Sequence, residues 1–157
     1  MKLKTTSLFL GLCLAILAVA ASPAYARSTT AFSAFHVENT VSPDQYTCLI
    51  EDNGAVVNTC TFAVNLEFDL PIDAKGIKNV TVQDYWNGTG AENTFYCQTY
   101  AYTGTQSSST QGTIINFNAP LQKLTSTVDV ANLGMSIQLI CWGIPVGGGV
   151  ANLNWTK

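Results

Sequence analysis

Charge is scarce in this chain. Only 11% of its 157 residues are Asp, Glu, Lys or Arg, and the seven basic residues form no run. A protein that grips nucleic acid or an anionic membrane needs a cluster of cations to neutralise phosphates, so both partners are excluded on composition. Histidine occurs once, as His36, and no two cysteines stand in a Cys-x-x-Cys unit, so neither a zinc site nor a histidine-based triad can be assembled. The glycines of Asn87-Gly88-Thr89-Gly90 and of Pro145 to Gly149 precede no helical pattern, which removes a dinucleotide or phosphate loop. No cofactor and no metal are expected. Helical periodicity is missing as well: no stretch of ten residues repeats apolar side chains every three to four positions.

What remains begins with an export signal. Lys2 and Lys4 precede an apolar run from Leu8 to Ala21, and Ala24-Tyr25-Ala26 is a small-x-small cleavage pattern, so residues 1–26 read as a secretory signal peptide cut after Ala26. The run is too short for a comfortable membrane span. Cys13 lies in its middle rather than at its end, where a lipid-modified cysteine belongs. Residues 27–157 then form one domain. Loss of Lys2 and Lys4 leaves five basic residues, Arg27, Lys75, Lys78, Lys123 and Lys157, against ten acids, a net charge of −5. The expected location is secreted or periplasmic.

Alternation is the dominant signal in that domain. From Thr59 to Leu70, Cys60, Phe62, Val64, Leu66 and Phe68 occupy every second place, with Thr61, Asn65, Glu67 and Asp69 between them. That is the two-residue period of a half-buried strand. The pattern recurs over Ile77 to Trp86, Thr94 to Thr103, Thr125 to Val130, Met135 to Trp142 and Ala151 to Trp155, with shorter stretches at Ser28 to Val37, Gln45 to Ile50 and Ile114 to Phe117. Ser, Thr and Gln fill Gly104 to Gly112, which reads as a loop. Eight or nine short strands separated by turn residues predict an all-β antiparallel sandwich or jelly roll.

Cys48, Cys60, Cys97 and Cys141 remain after cleavage, and an even number in an exported chain implies two disulfides. Cys97 and Cys141 both lie on apolar strand faces, which favours bonding them to each other. Cys48 and Cys60 flank the hairpin signal Asp52-Asn53-Gly54. A two-residue loop there sets Cys48 opposite Thr59, so a Cys48–Cys60 bond is expected to require a longer loop or a bulge.

The candidate site lies opposite the second pair of cysteines. Alternation puts Tyr96, Gln98, Tyr100 and Tyr102 on one face of their strand, and Gln138 and Trp142 on one face of theirs. If those strands are neighbours, the six residues form a patch of aromatic rings and amides, which suits a carbohydrate or protein ligand: rings cover apolar surfaces and amides read hydroxyls or backbone. The alternative is that this face is packed against other parts of the fold. The acids form no distinctive pair: Glu67 and Asp69 share a strand face, Glu51 and Asp52 a turn, and Asp84 and Glu92 flank a connection. The functional expectation is an exported protein that is not an enzyme and acts by surface recognition. A structural subunit of a surface polymer or coat is the alternative, and an acid-only hydrolase the third reading.

Overall fold

The computed structural model describes residues 26–31, 35–36, 47–87, 94–102, 109–131 and 136–156. Eleven strands run through them: β1 Ala26–Thr30, β2 Phe35–His36, β3 Leu49–Asp52, β4 Ala55–Asn58, β5 Val64–Leu70, β6 Gly76–Trp86, β7 Phe95–Tyr102, β8 Ser109–Phe117, β9 Lys123–Val130, β10 Ser136–Ile144 and β11 Gly148–Thr156. They form two antiparallel sheets, as the alternation requires. The first has the order β3-β4-β11-β6-β9, with β1 also paired to β11, and the second is β2-β5-β10-β7-β8.

Each long strand turns its apolar parity inward. Val64, Leu66, Phe68 and Leu70 of β5 and Ile137, Leu139 and Cys141 of β10 meet Val80 and Val82 of β6 and Val150, Leu153 and Trp155 of β11 in one core. Trp155 is held there by its indole N–H, which donates to the Pro71 carbonyl at 2.8 Å. Phe95 and Phe117 stack at 4.5 Å near one end of β7 and β8. Lys78 and Asp84 share the inward parity of Val80 and Val82 and are also buried. On one side β8 and β9 close the gap between the sheets. Ser126 Oγ donates to the Thr113 carbonyl and lies 2.7 Å from Thr99 Oγ1, while the Thr127 N–H donates to Thr113 Oγ1 at 2.8 Å.

Three local expectations change. The irregular stretch Ser28 to Val37 supplies two strands rather than one, β1 to the first sheet and β2 to the second. The Gly104–Gly112 loop is shorter than expected, because Ser109 to Gly112 are already strand, with Ser109, Thr110 and Gln111 paired to Tyr102, Ala101 and Tyr100; residues 103–108 lie outside the described residues. The central strand begins at Val64, not Thr59. Asn58 draws the chain out of the ladder: its Nδ2 donates to the Phe62 and Ile144 carbonyls and its Oδ1 accepts from the Cys60 N–H, all at 2.9 Å. Phe62 is consequently 46% exposed instead of sharing the core with Val64.

Both disulfides join the cysteines that alternation and the hairpin favoured, Cys48–Cys60 and Cys97–Cys141. The β3–β4 turn is a two-residue one, with positive φ at Asn53 and Gly54 and Asp52 opposite Ala55. Neither a longer loop nor a bulge corrects its register. The Thr59 N–H still donates to the Cys48 carbonyl at 2.9 Å, and Cys60 reaches its partner because the chain leaves the ladder immediately afterwards. Two disulfides are the mark of a chain folded in an oxidising compartment.

Gly149 shows how tightly β11 lies against β4. A Cβ built there stands 2.2 Å from the Val56 carbonyl oxygen, a backbone atom that moves only with its strand. Gly149→Ala is expected to destabilise the fold by about 2–3 kcal/mol, measured by urea unfolding; an unchanged midpoint would show that β4 yields freely.

Candidate binding face

The strands that carry the candidate residues are direct neighbours. β7 and β10 pair with Tyr96 opposite Trp142, Cys97 opposite Cys141, Gln98 opposite Ile140, Tyr100 opposite Gln138 and Tyr102 opposite Ser136. Since successive side chains alternate, the disulfide faces the core while the residues on either side of each cysteine face outward. The sulfurs therefore pin the two strands together next to the pair that carries Tyr96 and Trp142.

Those rings stack at 5.0 Å between centroids, with 22° between their planes. Tyr100 meets Trp142 edge-on at 6.0 Å and stacks on Tyr102 at 5.9 Å. One connected aromatic cluster thus runs the length of β7, about 20 Å at the rise of an antiparallel strand. Tyr96 is 42% exposed, and Tyr100, Tyr102 and Trp142 are each half-buried. The face is open to water and is not packed beneath the other sheet.

The two amides have different tasks. Gln98 is only 8% exposed; its Nε2 donates to the Gly112 carbonyl at 2.7 Å and its Oε1 accepts from the Tyr100 hydroxyl at 2.8 Å. It positions Tyr100 and anchors β8. Gln138 is half-buried and donates through Nε2 to Asp69 Oδ1 at 3.0 Å. Burial raises the Tyr100 phenol above its ordinary value, and repulsion from Tyr96 adds to the shift, so this ring is neutral at physiological pH.

Sequence reasoning missed the flanks of the face. β10 lies between β7 and β5, which puts Asp69 beside Gln138 and Glu67 beside Ile140. On the far side Ile114, 55% exposed, stands opposite Gln98. Alternation already placed Glu67 and Asp69 on one face of their strand; only the pairing of β5 with β10 joins them to the rings. A bulge between Cys141 and Ile144, where the Gly143 N–H donates to Asn65 Oδ1 at 3.1 Å, ends this region next to Trp142.

Other places on the described residues have a different character. An open depression of about 340 Å³ on the first sheet is lined by Ser28, Thr29, Thr30, Gln83, Asn152 and Asn154, hydroxyls and amides without an aromatic ring. Tyr85 donates to Asp52, tying β6 to the β3–β4 hairpin, and that bond is the main reason its phenol is raised. Among the described residues no group of three or more His, Cys, Asp or Glu side chains could hold a metal ion. No described helix is long and apolar enough to cross a membrane. Glu92, one of the acids weighed as a hydrolase partner, lies outside the described residues.

Fold and site together define a class: a disulfide-stapled, two-sheet antiparallel β-sandwich with an aromatic face turned to solvent. No protein family matches the chain, and no curated protein does. Among solved structures, one titled "BiXyn10A CBM1 APO" is similar at a TM-score of 0.49 and 14% identity, over 83% of this chain and 96% of that one. A likeness of that size transfers neither ligand nor activity.

Proposed function

We propose that this protein is an exported, non-catalytic recognition domain that binds an extended glycan across Tyr96, Tyr100, Tyr102 and Trp142. The supporting observation is the joining of four aromatic side chains from two strands into one open surface. Rings of this kind cover the apolar C–H faces of sugars, and Gln138 with Asp69 stands at the border to meet hydroxyls. A surface about 20 Å long suits an oligomer better than a single sugar. In the same reading residues 1–26 are removed on export, and the protein acts in the periplasm or outside the cell.

The test is a glycan array and a peptide array probed with the cleaved, oxidised protein, followed by calorimetry on the best ligand. Tyr96→Ala with Trp142→Ala is expected to weaken glycan binding at least tenfold, while Tm shifts by only a few degrees because both rings lie outside the core. Binding confined to peptides, or glycan affinity unchanged in the double variant, would overturn the proposal. Release of reducing ends from the bound glycan would instead favour the hydrolase.

A further inference from the structure

Lysine and arginine are absent from the described strands of the second sheet. Of the five basic residues after residue 26, Arg27, Lys78 and Lys123 lie on β1, β6 and β9 of the first sheet, Lys75 lies in the connection before β6, and Lys157 follows β11. Not one Lys or Arg occurs in β2, β5, β7, β8 or β10. The second sheet contains two acids, Glu67 and Asp69, both on the outward parity of β5 and both in the rows that cross the aromatic face. On the other side of β5, His36 of β2 stands in register with Glu67.

Asp69 is drawn toward the rings. Its Oδ1 accepts from Gln138, and Gln138 is the cross-strand partner of Tyr100. β5 lies about 5 Å from β10 and about 10 Å from β7, so a ligand spread over the rings passes within reach of both acids. Ring faces and carboxylates act in the same sense: each attracts a cation, the first through the negative π-face and the second through its charge. Each also repels an anion, and the described strands of this sheet carry no lysine or arginine.

We infer that the face selects a glycan bearing protonated amino groups over the neutral glycan of the same linkage and against acidic glycans, with Glu67 and Asp69 as its specificity-determining pair. This rests on the glycan reading above and adds the charge class of the sugar. At solvent-exposed separations of this size each carboxylate contributes roughly threefold to affinity, and the two together about tenfold at low salt.

Calorimetry of the cleaved, oxidised protein tests it at about pH 6, where carboxylates are ionised and amino groups protonated. The probes are β-linked oligomers of glucosamine, the matching N-acetylglucosamine oligomers and polygalacturonate. The amino form is expected to bind about tenfold more tightly than the N-acetyl form, with polygalacturonate weakest. In Glu67→Gln with Asp69→Asn the ratio of amino to N-acetyl affinity falls to near unity, and Trp142→Ala weakens both. Added salt erodes the preference in wild type only. Equal or tighter binding of the N-acetyl or acidic glycan, a preference that survives Glu67→Gln with Asp69→Asn, or binding confined to some other neutral glycan would overturn the charge assignment and leave the glycan reading standing. Failure to bind any glycan on the array would remove that reading itself.

Discussion

Cys97→Ala with Cys141→Ala is expected to lower the unfolding free energy by about 4 kcal/mol and Tm by roughly 10–20 °C. The bond closes a sequence separation of 44 residues, so in the chain-entropy account the unfolded chain regains more freedom than it does on loss of the Cys48–Cys60 bond, whose separation is 12. Location adds to the difference. Cys97 and Cys141 are wholly buried and their removal leaves a gap beneath the sheet, whereas Cys48 and Cys60 close the end of a hairpin. The Cys97–Cys141 pair also adjoins Tyr96 and Trp142, so freeing it is expected to loosen the ring stack and reduce the near-ultraviolet circular dichroism of the folded protein. Cys48→Ala with Cys60→Ala should cost about 3 kcal/mol and leave that signal intact. Denaturant titration of the two variants checks both; equal losses, or an undisturbed aromatic signal in the first, would contradict the arrangement described.

Asn58→Ala is expected to cost about 3–5 kcal/mol, an unusual loss for removal of one small polar side chain. Asn58 is completely buried, and its amide satisfies three backbone groups at once: the Cys60 N–H and the Phe62 and Ile144 carbonyls. Alanine leaves all three without that partner, at about 1–3 kcal/mol for each group that water does not reach. Two of the three bonds are fully buried, and the Phe62 carbonyl is partly so. Those contacts also hold the segment Thr59–Ala63 against the end of β10. Asn65→Ala is the control, since Asn65 is exposed and accepts a single bond from Gly143; it should cost less than about 1 kcal/mol. Similar losses in the two variants would show that Asn58 is an ordinary surface-type amide.

Asn58 also marks a limit of sequence reading. Nothing about an asparagine between Val57 and Thr59 distinguishes a buried hub from a turn residue, because its three partners include Ile144, 86 positions away. Cys60 and Phe62 continue the alternation of β5 without interruption, yet the hub outweighs that pattern and removes both from the strand. The opening of β8 was hidden for a different reason. Ser109 to Gln111 pair through backbone groups and bury little apolar surface, and Gly112 is required where a Cβ would meet Thr99 and Thr127. Hydrophobic period reports burial, so a strand that contributes only hydrogen bonds at a sheet edge is silent to it. In Ser28 to Val37 the period is too irregular to show that the stretch divides between β1 and β2.

The longer strands were legible because the two-residue period fixes which side chains share a face before any partner is known. Tyr96, Gln98, Tyr100 and Tyr102 do lie opposite Cys97, and Gln138 and Trp142 opposite Cys141. By itself, the amino-acid sequence determined the all-β class and the inward and outward parities and favoured the cysteine pairs, since each depends on local geometry or on counting; that a two-residue hairpin coexists with the Cys48–Cys60 bond was decided only by the chain leaving the ladder after Thr59. Tertiary structure alone decided that β10 lies between β5 and β7, that Gln98 supports Tyr100 from a buried position, and that Glu67 and Asp69 border the rings. Strand order follows from the packing of both sheets as a whole, and residues separated by 69 positions, as Asp69 and Gln138 are, become neighbours only when that packing is complete.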